Sequence, residues 1–315
     1  MRKLFILTSL FLTALICPAQ VSVEIIDGLN NPALQQKMET NTAALLNALQ
    51  TAADANSDID FTGVDITDNA SKALAFSWRQ LHFKPEDISY VEPAMTLFNK
   101  SGKLRAYQIR NIGVTMVPAA TSNEELPWDR QELVIDYSLT GAIAGVNFTM
   151  SNVQYANALR DAVKLDDGHQ RMQILNWCEK YAQFYVDKDL QSIEEIFAPG
   201  ALIISGKVIV GKEKSTVVYT PQDVPEYIKK LKRIFALNRY IGVEFDQYEI
   251  MKHPTKDNIY FVTLRQRWTT KNYSDVGTLT LVWDFTDEDL PRIQVRAWQP
   301  LGVKPFTVNT IPFYD

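Results

Sequence analysis

The residues that could do chemistry are few, and they are scattered along the chain. Three histidines, His82, His169 and His253, lie far apart, and none has a second ligand residue at a metal-binding spacing. Cys178 lies among apolar residues of a helical pattern, where a thiol usually acts as a small hydrophobic group. The sequence has no HExxH, glycine-rich phosphate loop, GxSxG or paired CxxC. We therefore predict no metal site and no cofactor.

Aromatic side chains in the second half of the chain are the stronger candidates for binding. Tyr181 and Tyr185 continue one helical face begun by Ile174 and Cys178, at spacings of four, three and four residues. Buried tyrosine hydroxyls need hydrogen-bond partners, so these residues either fill the core or line an apolar pocket. Core filling is the ordinary role. The residues predicted to bind a ligand in a pocket are Trp177, Tyr181, Tyr185, Tyr227, Trp268 and Trp283.

Two aspartates interrupt the same helical pattern. Asp187 and Asp189 follow its last apolar residues, and carboxylates at a helix C-terminus oppose the helix dipole. We predict that Asp189 caps the short helix that follows. In this interpretation the tyrosines, and not the aspartates, contact a ligand.

The N-terminus has the three-part pattern of a secretory signal peptide. Arg2 and Lys3 precede the apolar run 4–16, which is shorter than the roughly 20 residues that a spanning helix needs. We predict a signal peptide over 1–19 and an exported protein, periplasmic or extracellular. The alternatives are an apolar helix of the mature domain and lipid anchoring at Cys17, although Ile16 is larger than a lipoprotein site usually allows.

The charge balance argues against nucleic-acid binding. The chain has 32 Lys and Arg residues against 37 Asp and Glu residues, a net charge of -5. Removing 1–19 would delete Arg2 and Lys3 and no acid, which changes -5 to -7. An acidic chain lacks the cations that contact phosphates. No later segment is long and apolar enough to predict a membrane span.

The pattern of elements predicts an α+β fold with two domains. An N-terminal domain, 20–166, has helices at 32–55 and 69–82 followed by four strands at 90–98, 104–117, 133–139 and 142–150. A DDG triplet at 166–168 marks the predicted boundary. The C-terminal domain, 167–315, has helices at 170–186, 190–197 and 221–237 and strands at 201–210, 240–252, 258–271, 275–286 and 291–300.

Two stretches of the C-terminal domain resemble a known family. YVDKDLQSIEEIFAPGALI and RWTTKNYSDVGTLTLVWDF, followed by RIQVRAWQP, are similar to the opening and the curved hairpins of a cone-shaped, cystatin-like fold. This fold is that of nuclear transport factor 2, ketosteroid isomerase and the SnoaL-type polyketide cyclases. The resemblance covers about 169–300 and implies a curved antiparallel sheet wrapped around helices. The N-terminal order of helices and strands also allows a second, degenerate copy of the cone.

The resemblance implies a site as well as a fold. Enzymes of this kind place a carboxyl group and a tyrosine or second acid in an apolar pocket, whose low dielectric raises the carboxyl pKa. Asp284 with Tyr181 would be the catalytic pair. The strand alternation also predicts that Arg265, Arg267 and Arg296 face solvent or a partner surface.

These observations favour an exported, non-enzymatic protein. We expect its cone to bind a small apolar ligand, a peptide or an envelope protein, and we expect a homodimer as one assembly. The alternatives are a SnoaL-like isomerase, cyclase or hydrolase that uses Asp284 and Tyr181, and a surface scaffold that docks a partner on the sheet.

Overall fold

A computed structural model describes residues 20–99, 101–117, 130–148, 154–155, 168–210, 215–307 and 310–311. The predicted signal peptide 1–19 and most of the DDG boundary lie outside these residues. Among the described residues, no helix is long and apolar enough to cross a membrane.

The described residues of the N-terminal half form two sheets and include the helices α1, Pro32–Ala55, and α2, Asp68–Gln80. The strands are β1 Ser22–Ile25, β2 His82–Pro85, β3 Ser89–Glu92, β4 Ala94–Phe98, β5 Leu104–Val117, β6 Arg130–Tyr137 and β7 Ile143–Phe148. One sheet has the order β2-β5-β6-β7, with β4 also paired to β5, and β1 pairs with β3 in parallel.

The predicted strand 90–98 is two strands. It breaks at Pro93, between β3 and β4, because proline has no backbone N–H for a ladder hydrogen bond. The two pieces pair with different partners, β1 and β5. The four-residue strands β1 and β2 were not predicted, since segments this short carry too little periodicity.

The C-terminal half forms the predicted cone. Its elements are α3 Gly168–Val186, α4 Leu190–Glu195, β8 Phe197–Val210, β9 Ser215–Gln222, α5 Val224–Leu237, β10 Ile241–Lys252, β11 Ile259–Thr270, β12 Ser274–Asp284 and β13 Arg292–Pro300. The sheet order is β10-β11-β12-β13-β8-β9, antiparallel except for the parallel pair β13 and β8. This curved sheet packed on helices confirms the predicted α+β class.

The prediction that Arg296 faces outward is wrong. Val282 lies opposite Val295 and the next residue, Trp283, lies opposite Ile293, so Gln294 is an extra residue in β13. A bulge of this kind reverses the alternation of side chains beyond it. Ile293 and Arg296 therefore face the helices, and Val295 faces the other side of the sheet.

Helix α3 connects the two halves. It contacts β10 of the cone and β7 of the N-terminal sheet, and buried apolar residues of both halves belong to one continuous cluster. A second cluster lies on the outer face of the cone sheet, where Phe306 and Ile311 of the C-terminal segment pack near Val282 and Val295. The predicted domain division and the homodimer stay predictions.

Candidate functional site

The predicted aromatic residues meet inside the cone. The Tyr181 and Tyr185 hydroxyls are 2.5 Å apart, and the Tyr185 and Tyr227 hydroxyls are 2.6 Å apart. Arg296 Nε donates to the Tyr181 hydroxyl at 3.1 Å, and Arg296 also donates to Gln266 Oε1 at 3.4 Å. The hydroxyls that we expected to need partners therefore satisfy one another.

This interior is packed. Tyr181 is 0% exposed and Tyr185 is 2% exposed, and burial raises the pKa of both phenols. Trp268 packs edge-on against Tyr185, and Trp283 packs edge-on against Tyr181. Of the six predicted ligand-binding residues, only Trp177 lines any of the three cavities described below. Ligand binding by the other five remains a prediction.

Asp284 and Tyr181 have different surroundings. Asp284, at the end of β12, accepts hydrogen bonds from the Thr286 backbone N–H and from Gln294 Nε2, both at 2.9 Å. These contacts are those of a strand-end carboxylate that organises the following turn. The Tyr181 hydroxyl instead bonds to Tyr185 and Arg296.

The largest of the three cavities described here lies outside the cone, between α2 and β7 on one side and α3 and α4 on the other. We call it the α2–α3 cleft, and its volume is about 630 Å³. Apolar side chains contribute part of its wall, and Asp136 and Asp187 are buried acids in it, each 6% exposed. The apolar side chains of the lining are those of Ala70, Ala73, Phe76, Ala144, Val146, Phe184 and Leu190.

Asp187 reaches this cleft because α3 ends beside it. Lys188 has a left-handed backbone, with φ 55°, which terminates the helix. Asp189 then caps α4 by accepting from the Ser192 N–H at 3.0 Å, as the sequence predicts. Asp187 is left on the last turn of α3, where Gln183 Nε2 donates to its Oδ1 at 2.6 Å.

The Asp187 carboxyl is strongly perturbed. Burial raises its pKa well above the ordinary value, the hydrogen bond from Gln183 lowers it, and the nearby Asp189 raises it further. Lys188 does not neutralise it, because the lysine ammonium bonds to Gln80 Oε1 and to the Asn238 and Arg239 carbonyls. Among the residues described, no cation pairs with Asp187. A raised pKa favours the neutral form of a buried acid, and the neutral form can donate a hydrogen bond.

The charges at the other end of the cleft are balanced. Asp136 accepts from Gln108 Nε2 at 2.7 Å and from Asn147 Nδ2 at 3.5 Å. The Lys180 ammonium lies 3.8 Å from the Asp136 carboxylate. The cleft therefore combines apolar side chains with the buried Asp187, the Asp136–Lys180 pair and further charged residues, including Lys72 and Glu195.

Two smaller cavities adjoin α3. One, of about 140 Å³, is lined by Trp177 and Met172 of α3 and by Phe98. The other, of about 370 Å³, lies between β6, α3 and β10. Among the described residues, no group of three or more His, Cys, Asp or Glu could hold a metal ion.

No protein-family profile and no curated protein matches this chain. Three solved structures are partly similar to it. Bd1075 of Bdellovibrio bacteriovorus is 16% identical over 51% of this chain and 47% of its own, with a TM-score of 0.34. A naphthalene 1,2-dioxygenase with indole in its active site is 6% identical over 48% and 93%, with a TM-score of 0.35. A scytalone dehydratase candidate from Novosphingobium aromaticivorans is 10% identical over 43% and 95%, with a TM-score of 0.32.

The matched region spans less than half the length of the Bdellovibrio protein. Overlaps this partial carry no argument about function. The fold described above rests on the strand order, the parallel β13–β8 pair and the placement of α3.

Proposed function

We propose that this protein is a non-enzymatic ligand-binding protein whose ligand occupies the α2–α3 cleft. The observation that carries the proposal is the buried Asp187, whose pKa burial raises, in the wall of a cavity of about 630 Å³ that also has apolar side chains in its lining. Cavities of about 300–1,000 Å³ with few polar groups are typical of small-molecule sites.

The lining defines the class of ligand. Phe76 and Phe184 offer aromatic contact to an apolar body, and the protonated Asp187 offers one hydrogen-bond donor. An uncharged molecule with a carbonyl or ether oxygen fits both features. A carboxylate ligand fits less well, because two of the three lysines in the lining are engaged: Lys180 lies beside Asp136, and Lys188 bonds to Gln80 and two backbone carbonyls. The third, Lys72, is exposed and lies 3.8 Å from Asp68.

A matched set of naphthalene probes tests this class by fluorescence titration. We expect 2-acetylnaphthalene to bind more tightly than 2-ethylnaphthalene, which lacks the acceptor, by about tenfold, the value of one hydrogen bond to a buried donor. We expect 2-naphthoate to bind least, since a carboxylate would lie next to an apolar wall and a buried acid.

A cleft-filling variant and a matched control locate the site. Ala73 lies on the exposed side of α2 and lines the cleft, so A73W should block binding without disturbing the core. Ala236 is equally exposed on α5 and lines none of the three cavities, so A236W should bind as wild type. Equal binding of 2-acetylnaphthalene by A73W and wild type would exclude the α2–α3 cleft.

Export is the second part of the proposal. The basic start and the short apolar run support removal of 1–19 during secretion. Mass spectrometry of the protein from a bacterial culture should find a chain that begins at Gln20. A full-length chain confined to the cell would contradict the proposal, and a lipidated Cys17 would support the anchored alternative.

Acid catalysis is a second candidate function, favoured by Asp187 alone. A carboxylic acid with a raised pKa can act as a general acid near pH 7. In this function Asp187 would be the catalytic acid, in place of the predicted pair Asp284 and Tyr181. Conversion of a bound ketone probe that is lost in D187N would support catalysis, and unchanged probe after prolonged incubation would support simple binding.

A further inference from the structure

A second cleft on another face of α3 contains two oxygen acceptors that no described residue satisfies. This β6–β10 cleft has a volume of about 370 Å³ and lies between the N-terminal sheet and the edge strand of the cone. Its lining carries four carboxylates, those of Glu132, Glu179, Glu244 and Asp246.

Three of these carboxylates are neutralised by arginines. The pairs are Arg110 with Glu179 at 2.6 Å, Arg267 with Glu244 at 3.5 Å, and Arg265 with Asp246 at 2.6 Å. Arg130, which also lines the cleft, is paired with Glu86 at 2.6 Å. Arg130 therefore already has a carboxylate partner in Glu86.

Glu132 is the exception. Among the described residues it forms no ion pair, and its Oε2 is buried without a hydrogen-bond partner. Its negative charge contributes to the raised pKa of Glu92, after the larger effect of burial. A carboxylate oxygen in this state costs free energy that a ligand donor would recover.

Tyr248 provides an independent observation in the same cleft. It is 7% exposed, lines the cleft, and its hydroxyl is buried without a partner. Burial raises the pKa of this phenol well above the ordinary value, and the negative groups nearby raise it further. The hydroxyl is therefore neutral and can accept a hydrogen bond as well as donate one. Solvent does not reach either oxygen, so a ligand can contact them only if a wall side chain rotates.

The rest of the lining limits which kind of positively charged ligand could pair with Glu132. The carboxylates do not converge into a metal site, since no metal-binding group of three or more acids, histidines or cysteines exists among the described residues. Phe148, Ala182, Val243 and Phe245 instead provide apolar surface in the same cleft. This combination suits a cation carried on a carbon chain.

We propose that the β6–β10 cleft binds an organic cation, an alkylammonium or guanidinium group. Glu132 is its counter-charge, the Tyr248 hydroxyl is a second acceptor, and the apolar side chains contact its carbon chain. The site is separate from the α2–α3 cleft and takes a positively charged ligand, whereas the α2–α3 cleft takes an uncharged one. Either site can therefore fail its test without affecting the other.

Calorimetric titration of the chain from Gln20 with three five-carbon probes tests the proposal. We expect 1,5-diaminopentane to bind, and 1,5-pentanediol and glutarate to bind at least about tenfold more weakly, as loss of a charged hydrogen bond predicts. E132Q should weaken diamine binding about tenfold or more, and Y248F should weaken it several-fold.

Two control variants separate the site from general effects. E194Q changes an exposed acid that lines none of the three cavities, and Y107F changes a tyrosine that no described hydrogen bond uses. Both should bind the diamine as wild type. If E132Q does not fold, diamine binding by Y248F alone tests the proposal. The proposal is overturned if the diamine shows no binding, if the diol binds equally well, or if the folded site variants bind the diamine as wild type does.

Discussion

Arg110 and Glu179 form a buried two-point ion pair that joins the two halves of the protein. Arg110 lies on β5 of the N-terminal sheet, and its two terminal nitrogens lie 2.6 and 3.2 Å from the carboxylate of Glu179 on α3. Both side chains are 5% exposed. The guanidinium also lies 3.8 Å from the centre of the Tyr155 ring. The ion pair holds α3 against the N-terminal sheet, and the same helix also contacts β10 of the cone.

Breaking this pair from one side should be costly. E179Q removes the carboxylate charge that faces the buried Arg110 guanidinium, and we expect the free energy of unfolding to fall by about 3 kcal/mol. Urea denaturation measures the loss. The control is R79A, which breaks the exposed pair Arg79–Asp58, whose side chains are 60% and 68% exposed. R79A should cost less than about 1 kcal/mol. Equal losses of unfolding free energy in the two variants would mean that the buried pair stabilises the protein no more than an exposed pair does.

The hydroxyl chain inside the cone should contribute to stability. Y185F removes the middle member of the Tyr181–Tyr185–Tyr227 series and leaves two buried hydroxyls with one partner fewer. We expect a loss of about 1–3 kcal/mol in thermal or urea unfolding. Y107F, a tyrosine without a described hydrogen bond, should change stability by less than about 0.5 kcal/mol. A neutral Y185F would show that packing alone holds the cone interior.

Asp187 should make stability depend on pH in a defined direction. Above the ordinary aspartate pKa the unfolded chain has lost this proton, whereas the folded chain keeps it up to the raised pKa. Folding then binds a proton, so the free energy of unfolding falls as pH rises through that window. D187N removes this dependence and should stabilise the protein near pH 7 by about 1 kcal/mol or more.

The measurement is urea unfolding of both chains across neutral and mildly acidic pH. D223N, which exchanges one good helix cap for another at the start of α5, is the control and should follow wild type. A D187N profile parallel to that of wild type would mean that Asp187 is ionised in the folded protein.

The cap of α4 is a separate prediction. Asp189 accepts from the Ser192 N–H and from the Ser192 hydroxyl, at 3.0 and 2.5 Å. D189A should lower the free energy of unfolding by about 1 kcal/mol, whereas D189N, which can still cap, should cost much less. If D189A unfolds like wild type, another group must satisfy the start of α4.

The sequence by itself determined the scaffold. Apolar periodicity and turn residues predicted α1, α3, α5 and the long strands β10 to β13 within a few residues, because these elements are long enough to show their period. It also predicted the Asp189 cap, since capping depends on neighbours three residues away. The α+β class follows from the order of these elements, whereas the curvature of the antiparallel sheet was implied by the family resemblance.

Only the tertiary structure decided which groups meet. The bulge at Gln294 turns Arg296 into the cone, and a one-residue insertion leaves no trace in strand alternation. Asp187 looked like a helix-end acid, yet it lines a cleft because α2 and β7, far away in sequence, pack beside it. The unsatisfied oxygens of Glu132 and Tyr248 likewise depend on strands more than a hundred residues apart. Burial comes from contacts distant along the chain, so five of the six aromatic residues that the local pattern favoured pack inside the cone, whereas Trp177 lines a cavity. The clefts formed where the two halves meet on α3.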